Sequence, residues 1–193
     1  KPRGMARDLS NANAQALAGK PPAQVASDLG QVQGIGSGMA ATLGAAHEAG
    51  IRDRAVLAQM LRPSASASPV VLGAWFMEAP DAVDGQGAAH LGDTAAGSNK
   101  LGQFTPYWVN NGGQLSLEPL DTGTDYEQPF YQTTFRSGKA AIVEPYPYEV
   151  GGKTVSMTSV TFPVMSGGKM IGVAGLGLAL DDVSSRLGGM EAS

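Results

Sequence analysis

The residues of this 193-residue chain best placed to do chemistry are hydrogen-bonding and aromatic rather than ionisable. Tyr126, Gln128, Phe130 and Tyr131 are clustered, Tyr146 and Tyr148 follow them, and Tyr107 precedes them. Phenol hydroxyls and a carboxamide can donate and accept, and ring faces can hold a cation. Such a set is suited to capturing a small molecule, and no catalytic group interrupts it. Phe130, like Trp75 and Phe162, also reads as a core residue.

Two backbone features add to the candidate site. In the run 154–164, Val155 and Met157 share one face of a strand while Val160, Phe162 and Val164 share the other. The hydrophobic phase slips at Thr158-Ser159, which predicts a bulge or a ligand-facing polar patch there and makes Thr158 a candidate. In the last strand Gly175, Gly177 and Ala179 leave one face almost bare, so backbone or ligand can approach closely at Gly177.

Other ionisable patterns lead elsewhere. Leu120-Asp-Thr-Gly-Thr124 has the turn of an aspartic protease, but that chemistry needs two carboxylates sharing a proton, and Pro119 interrupts the preceding strand. Asp121, Gly123, Asp125 and Glu127 lack the twelve-residue calcium pattern with its terminal bidentate Glu. His47 and His90 have no second histidine at zinc-ligand spacing. His90 and Asp93 could join a serine triad only on paper, because no nucleophile elbow is present. Gly34-Ile-Gly36-Ser-Gly38 follows no strand, so a dinucleotide fingerprint is unsupported. Arg136 and Lys139 read as solvated charges, with Arg136 able to reach an anionic ligand. No metal, cofactor or enzymatic reaction is expected.

The bulk properties agree. A net charge of -4 with no basic stripe argues against nucleic acid. The absence of cysteine excludes a disulfide framework and thiolate chemistry. The longest apolar run, Met170 to Leu180, is too short and too glycine-rich to span a membrane. No signal peptide is visible, and a start at Lys1-Pro2 is consistent with a soluble piece of a longer protein.

These residues must be held by a helical first third and a β-rich remainder. Met5, Leu9, Ala12 and Ala16 predict a first helix. Val25, Leu29, Val32, Met39, Leu43 and Ala46 form a heptad-like stripe, with Gly36 in its gap, between Pro21-Pro22 and Gly50. Five glycines in this long helix each cost roughly 1 kcal/mol against Ala, which requires a close partner surface: the sheet, or a second copy of the helix. A short helix from the N-cap Asp53 ends before Pro63, and Ser64–Ser68 reads as a linker. Strands are predicted over 69–77, 103–110, 114–117, 140–144, 154–164 and 169–180, with a long loop over 80–100 and turns at Asn111-Gly112-Gly113, Gly151-Gly152 and Gly167-Gly168. A short helix over 126–136 and a last helix near Asp181 complete the reading. The class is α+β, a long N-terminal helix packed on an antiparallel sheet of five to six strands, divided into a helical region (1–63) and a sheet module (69–188).

Pro129-Phe130-Tyr131, Glu144-Pro145-Tyr146, Gly152-Lys153-Thr-Val155, Met157-Thr158-Ser159, Phe162-Pro163-Val164 and Gly172-Val-Ala-Gly175 occur in that order. Together with Ala79-Pro-Asp-Ala-Val-Asp84-Gly85 and Leu101–Trp108, this series resembles the membrane-distal module of the double-Cache sensor domains of bacterial methyl-accepting chemotaxis proteins. The resemblance implies a PAS-like sheet and a periplasmic module of an inner-membrane receptor. It also implies a rod-like helix continuing into a transmembrane segment outside this chain, a homodimer in the full receptor, and ligand binding on the sheet face away from the rod. No repeat of the strand block follows Leu180, so the membrane-proximal sheet of the usual double module is not expected here.

Amino-acid-binding members of that family carry an Arg before the Pro-aromatic-Tyr step and two Asp anchors for the ligand ammonium. The matching positions here are Gln128, Tyr148 and Gly177. Without those charged anchors, a free α-amino acid loses its strongest hydrogen bonds. The expected ligand is a neutral or weakly charged molecule, or a cation seated on π faces. The alternative from another class is a periplasmic protein-docking domain with no small-molecule ligand.

Overall fold

The structure is a computed structural model that describes residues 22–121, 123–150 and 153–179. The predicted first helix, the Gly151-Gly152 turn and the helix near Asp181 lie outside the described residues.

The long helix, α1, spans Pro22–Glu48. Pro22 suits its first turn, where the missing N–H has no partner to lose. Gly50, at φ 99°, ends it in a conformation that favours glycine. Leu29, Val32, Met39, Leu43 and His47 are buried along one side. Gly36 and Gly44 lie in the same stripe and let the sheet approach: a β-carbon on Gly36 would strike the Phe162 ring, and one on Gly44 the carbonyl of Met165. The sheet is therefore a close partner for two of the five glycines. Gly30, Gly34 and Gly38 face open space.

The second helix, α2, spans Arg54–Leu61, and Asp53 caps it by accepting from the N–H groups of Ala55 and Val56. Ser64–Ser68 does not form a free linker. A 3-10 helix spans Arg62–Ser66, Ala65 is fully buried, and Asn110 donates to its carbonyl at 3.1 Å. Small alternating side chains allow that close packing where a flexible tether was expected.

Six strands follow: β1 (Gly73–Glu78), β2 (Tyr107–Asn111), β3 (Gln114–Leu117), β4 (Ala141–Val150), β5 (Lys153–Ser166) and β6 (Lys169–Ala179). The third helix, α3 (Pro129–Ser137), sits between β3 and β4 in the chain, starts on Pro129 and is closed by Gly138 at φ 68°. The sheet order is β3-β2-β1-β6-β5-β4, with every pairing antiparallel. Gly112 and Gly113, both at positive φ, close the β2–β3 hairpin, and Gly167 and Gly168 close β5–β6.

Alternation along the strands builds a core on each face. Ala74, Phe76, Trp108, Val160, Phe162, Val164, Leu176 and Leu178 meet α1 and α2. Trp75, Met77, Tyr107, Val109, Met157 and Val173 form the opposite core beneath α3. Trp108 Nε1 donates to the Ala58 carbonyl at 2.7 Å and ties α2 down. His47 Nε2 lies 2.8 Å from the Val83 carbonyl, which can only accept, so that nitrogen carries a proton. In the neutral ring, Nδ1 then accepts from Ser166 Oγ at 2.6 Å. One imidazole thus joins the end of α1 to the loop after β1 and to the β5–β6 hairpin.

Candidate functional site: an aromatic cluster beneath α3

The floor of the site is made of rings lying over glycines. Trp75 on β1 covers Gly175 of the neighbouring strand, and Tyr107 covers Gly73. A β-carbon at Gly177 would meet the Met157 methyl, and the Tyr107 hydroxyl would lie 3.4 Å away. The bare face of β6 expected from the sequence is therefore a real glycine trench, and Trp75, Tyr107 and Met157 lie in it.

The roof comes from α3 and the turn before it. Phe130 meets Trp75 edge to face at 5.6 Å. Tyr131 meets Tyr126 edge to face at 5.0 Å and stacks on Phe135 at 5.1 Å. These geometries suit the ring quadrupoles. Three bonds fasten the roof: Tyr126 Oη donates to the Glu78 carbonyl at 2.6 Å, Gln132 Nε2 donates to the Tyr126 carbonyl at 2.6 Å, and the Thr134 and Thr161 hydroxyls lie 2.6 Å apart.

The structure brings Tyr107, Tyr126, Phe130 and Tyr131 into one cluster. Gln128 is half-buried at the N-terminal edge of α3, where its carbonyl accepts from Tyr131 and Gln132 N–H while its side chain makes no cap bond. Gly177 lies in the floor. Tyr146 and Tyr148 belong to β4 by their backbone, and their side chains lie outside the described residues.

Thr158 is placed differently from the expectation. It shares strand parity with Val160 and Phe162, which puts it on the α1 face, while Ser159 and Thr161 hold the positions facing α3. The β5–β6 register runs unbroken from Met157 to Val164. The bulge predicted at Thr158-Ser159 is carried by the neighbour instead: the β4–β5 register shifts between Val143 and Tyr146, directly opposite Thr158. One extra residue on β4 brings positions 146 and 148 into register with Met157 and Val155, on the α3-facing phase of β5. The apparent phase slip in β5 arises because both faces of this central strand are buried.

Two side chains carry an unusual polar state. Tyr131 Oη and Thr158 Oγ1 are buried without a hydrogen-bond partner among the described residues. Buried hydroxyls are normally satisfied, so each marks a place where a polar group from outside the chain would be stabilised. Burial, assisted by the charge of Glu78, pushes the Tyr131 phenol up to about 12, and burial pushes Tyr126 higher still. Both are therefore neutral at physiological pH: Tyr126 spends its hydroxyl proton on the Glu78 carbonyl, whereas the Tyr131 proton has no acceptor among the described residues. Asp125, also buried, belongs to the turn that carries Tyr126.

A separate groove of about 450 Å³ runs along the outer side of α3, lined by Glu127, Pro129, Gln132, Thr133, Arg136 and Ser137. It is open to solvent and contains none of the predicted aromatic residues. Arg136 spends its Nε on Gln132 Oε1 at 2.9 Å.

Sequence reasoning missed the buried ionic cluster at the end of β1. Arg54 grips Asp84 with two bonds of 2.9 and 2.8 Å and reaches Ser98 Oγ at 3.0 Å and the Gly102 carbonyl at 2.7 Å. Glu78, fully buried, lies 3.6 Å from the same guanidinium and accepts from the N–H groups of Phe104 and Val83, both at 2.9 Å. Burial raises the Glu78 pKa despite those two N–H groups and Arg54. The Arg54 hydrogen bonds hold Asp84 below the usual carboxylate range. Desolvation of Arg54 is more than offset by Asp84 and Glu78, which keep it charged. The available signal was the motif Ala79–Gly85 combined with an arginine one position after a helix cap. The remaining ionisable patterns are structural: Asp121 accepts from the Lys100 N–H at 3.0 Å, and His90 lies 3.3 Å from Asp93.

The family described as "Methyl-accepting chemotaxis protein-like, first PDC sensor domain" matches residues 57–185. The chain is 32% identical over 140 residues to the methyl-accepting chemotaxis protein TlpQ of Pseudomonas aeruginosa, covering 67% of this chain and 20% of that protein. A solved structure titled "Methyl-accepting Chemotaxis protein X" is 31% identical with a TM-score of 0.74, covering 95% of this chain and 63% of the other. The periplasmic sensory domain of the Campylobacter jejuni chemoreceptor Tlp1 shares the fold, with a TM-score of 0.66 at 12% identity over 99% of this chain and 65% of that one. This chain spans a fifth of the curated relative's length and under two thirds of these two solved chains. The matches are to a sensor family, not an enzyme family, and they favour a periplasmic sensing role over a docking domain without a ligand. A six-stranded PAS-like sheet braced by a long helix, with a packed aromatic cluster on its far side, is thus accounted for: the chain belongs to the first PDC sensor domains of the methyl-accepting chemotaxis protein type.

Proposed function

We propose that this domain is the ligand-capturing part of a transmembrane chemoreceptor, and that it binds a small molecule without reacting with it between the sheet and α3. The observation that carries this reading is the Tyr131 hydroxyl, buried among aromatic rings with no hydrogen-bond partner among the described residues. In this reading Tyr107, Tyr126, Gln128, Phe130 and Tyr131 surround the ligand, Tyr146 and Tyr148 complete the wall from β4, and Gly177 sets the depth of the floor. Thr158, on the α1 face of β5, lies outside this ligand site.

Aromatic faces and neutral phenols suit a neutral or weakly charged molecule, or a cation, better than a free α-amino acid. Met157 and Tyr107 stand where a side chain at position 177 would project, which leaves no room there for an acidic anchor. The ligand energy biases two packings of sheet against rod, and residues 1–63 carry the displacement toward the membrane while residues 69–188 do the sensing. The exposed glycines Gly30, Gly34 and Gly38 fit the rod against its copy in a receptor homodimer.

The test is a thermal-shift screen of amines, organic acids, purines and sugars, followed by calorimetry. A ligand that raises the melting temperature in the intact domain but not in Tyr131→Phe supports the chamber. If every compound class leaves the melting temperature unchanged, direct sensing is overturned.

A further inference from the structure

Glu78 is the last residue of β1 and makes contacts in two directions. Its carbonyl oxygen accepts from Tyr126, the residue that fastens the roof of the chamber. Its carboxylate is fully buried on the other face, holding the N–H groups of Val83 and Phe104 beside Arg54. Arg54 opens α2, one residue after the Asp53 cap, and its guanidinium gathers Asp84, Ser98 and Gly102. The short turn between α1 and α2 is closed by the Ile51 N–H on the Ala46 carbonyl at 3.0 Å. A set of polar contacts therefore runs from Tyr126, through Glu78, to Arg54 at the start of α2, which follows the rod after a short turn.

We infer that Glu78 is a mechanical joint, through which the Tyr126 latch and the Arg54–Asp84 cradle loosen and tighten together. A buried charge network is stable only when every member is satisfied, so it resists partial displacement. Moving the Glu78 peptide to release Tyr126 also moves the carboxylate away from Phe104, Val83 and Arg54. The cradle must then rearrange as a unit, and α2 moves with it. The purpose of this joint rests on the sensing reading, but its test does not, since no ligand enters it.

The test is amide hydrogen exchange on the domain, read by mass spectrometry. Tyr126→Phe removes one hydroxyl, whose hydrogen bond among the described residues goes to the Glu78 carbonyl. Exchange in residues 79–106 is expected to speed by about fivefold, the effect of one lost hydrogen bond acting on a shared opening. Thr134→Val, which cuts the Thr134–Thr161 fastening of the roof, is expected to speed exchange in 129–137 alone. Coupling is reciprocal, so Asp84→Asn, in the cradle, is expected to speed exchange at Tyr131 and Gln132. Wild-type exchange over 79–106 in Tyr126→Phe overturns the joint, and so does wild-type exchange in α3 of Asp84→Asn. Failure of this test leaves the chamber intact, whereas a failed ligand screen leaves the joint intact.

Discussion

Gly44 on α1 lies flat against the carbonyl oxygen of Met165 in β5, so closely that a β-carbon at position 44 would overlap it. Because the obstacle is backbone, it cannot rotate away. Gly44→Ala is therefore expected to cost about 3 kcal/mol, at the upper end of overpacking penalties. Gly38, on the same helix, faces open space, and Gly38→Ala is expected to gain up to about 1 kcal/mol of helix propensity. Urea denaturation at low protein concentration checks both. Equal effects of the two substitutions would show that α1 does not dock as described.

The two roof tyrosines are expected to behave oppositely when their hydroxyls are removed. Tyr126→Phe leaves the Glu78 carbonyl without its donor and should cost about 1 kcal/mol. Tyr131→Phe removes a buried hydroxyl that has no partner among the described residues, so stability should stay level or rise slightly. Chemical denaturation of the two variants side by side decides this. A loss in Tyr131→Phe as large as in Tyr126→Phe would mean that its hydroxyl is already satisfied within the domain.

The parts of this fold that were legible in the sequence are those set by local pattern. Asp53 before the largely apolar run Arg54–Leu61 and the glycine turns at 111–113 and 167–168 each act within a few residues, and the structure has the cap and those hairpins, whereas the helix read over 126–136 begins only at Pro129. Thr158 shows where pattern reading was incomplete: the bulge read at Thr158-Ser159 lies at that point of the ladder, with its extra residue on β4. A strand apolar on both faces loses its period-two signal, and the irregularity lay on β4, across the ladder, where β5 alone could not reveal it. Arg54, Glu78 and Asp84 were not legible because their roles are created by contacts between residues up to 48 positions apart. The aromatic site was read from composition, but its depth was not: that depends on Trp75 and Tyr107 lying over glycines of neighbouring strands.

The exposed glycines of α1 offer a further check on the receptor assembly. Gly30, Gly34 and Gly38 recur every fourth residue on the side away from the sheet. In the intact receptor, Gly34→Cys is expected to form a disulfide between subunits under mild oxidation, and Gly34→Leu to lower the dimer fraction in analytical ultracentrifugation. Neither should alter the melting temperature of the isolated domain by more than the propensity change. A Gly34→Leu receptor that dimerises like wild type would place the dimer contact on another surface.

The Arg54–Asp84 pair sets an acid limit on stability. Arg54 hydrogen bonds hold the folded pKa of Asp84 below that of the unfolded chain, which lies at about 3.9. For a carboxyl group with a depressed folded value, the stabilisation is fully present above the unfolded pKa and is lost as pH falls through the folded one. Glu78 runs the other way: its raised value means that deprotonation costs stability as pH climbs above the unfolded glutamate value near about 4.3. Thermal melts from pH 7 downward should therefore show wild-type stability level or rising as Glu78 takes up its proton, then a decline that sets in below about pH 4 as Asp84 protonates. Asp84→Asn should be less stable near neutrality, because Arg54 loses its charged partner, yet flatter on the acid side. If the wild-type and Asp84→Asn curves stay parallel below pH 4, the pair contributes no differential proton binding, and the cradle is held by its neutral hydrogen bonds instead.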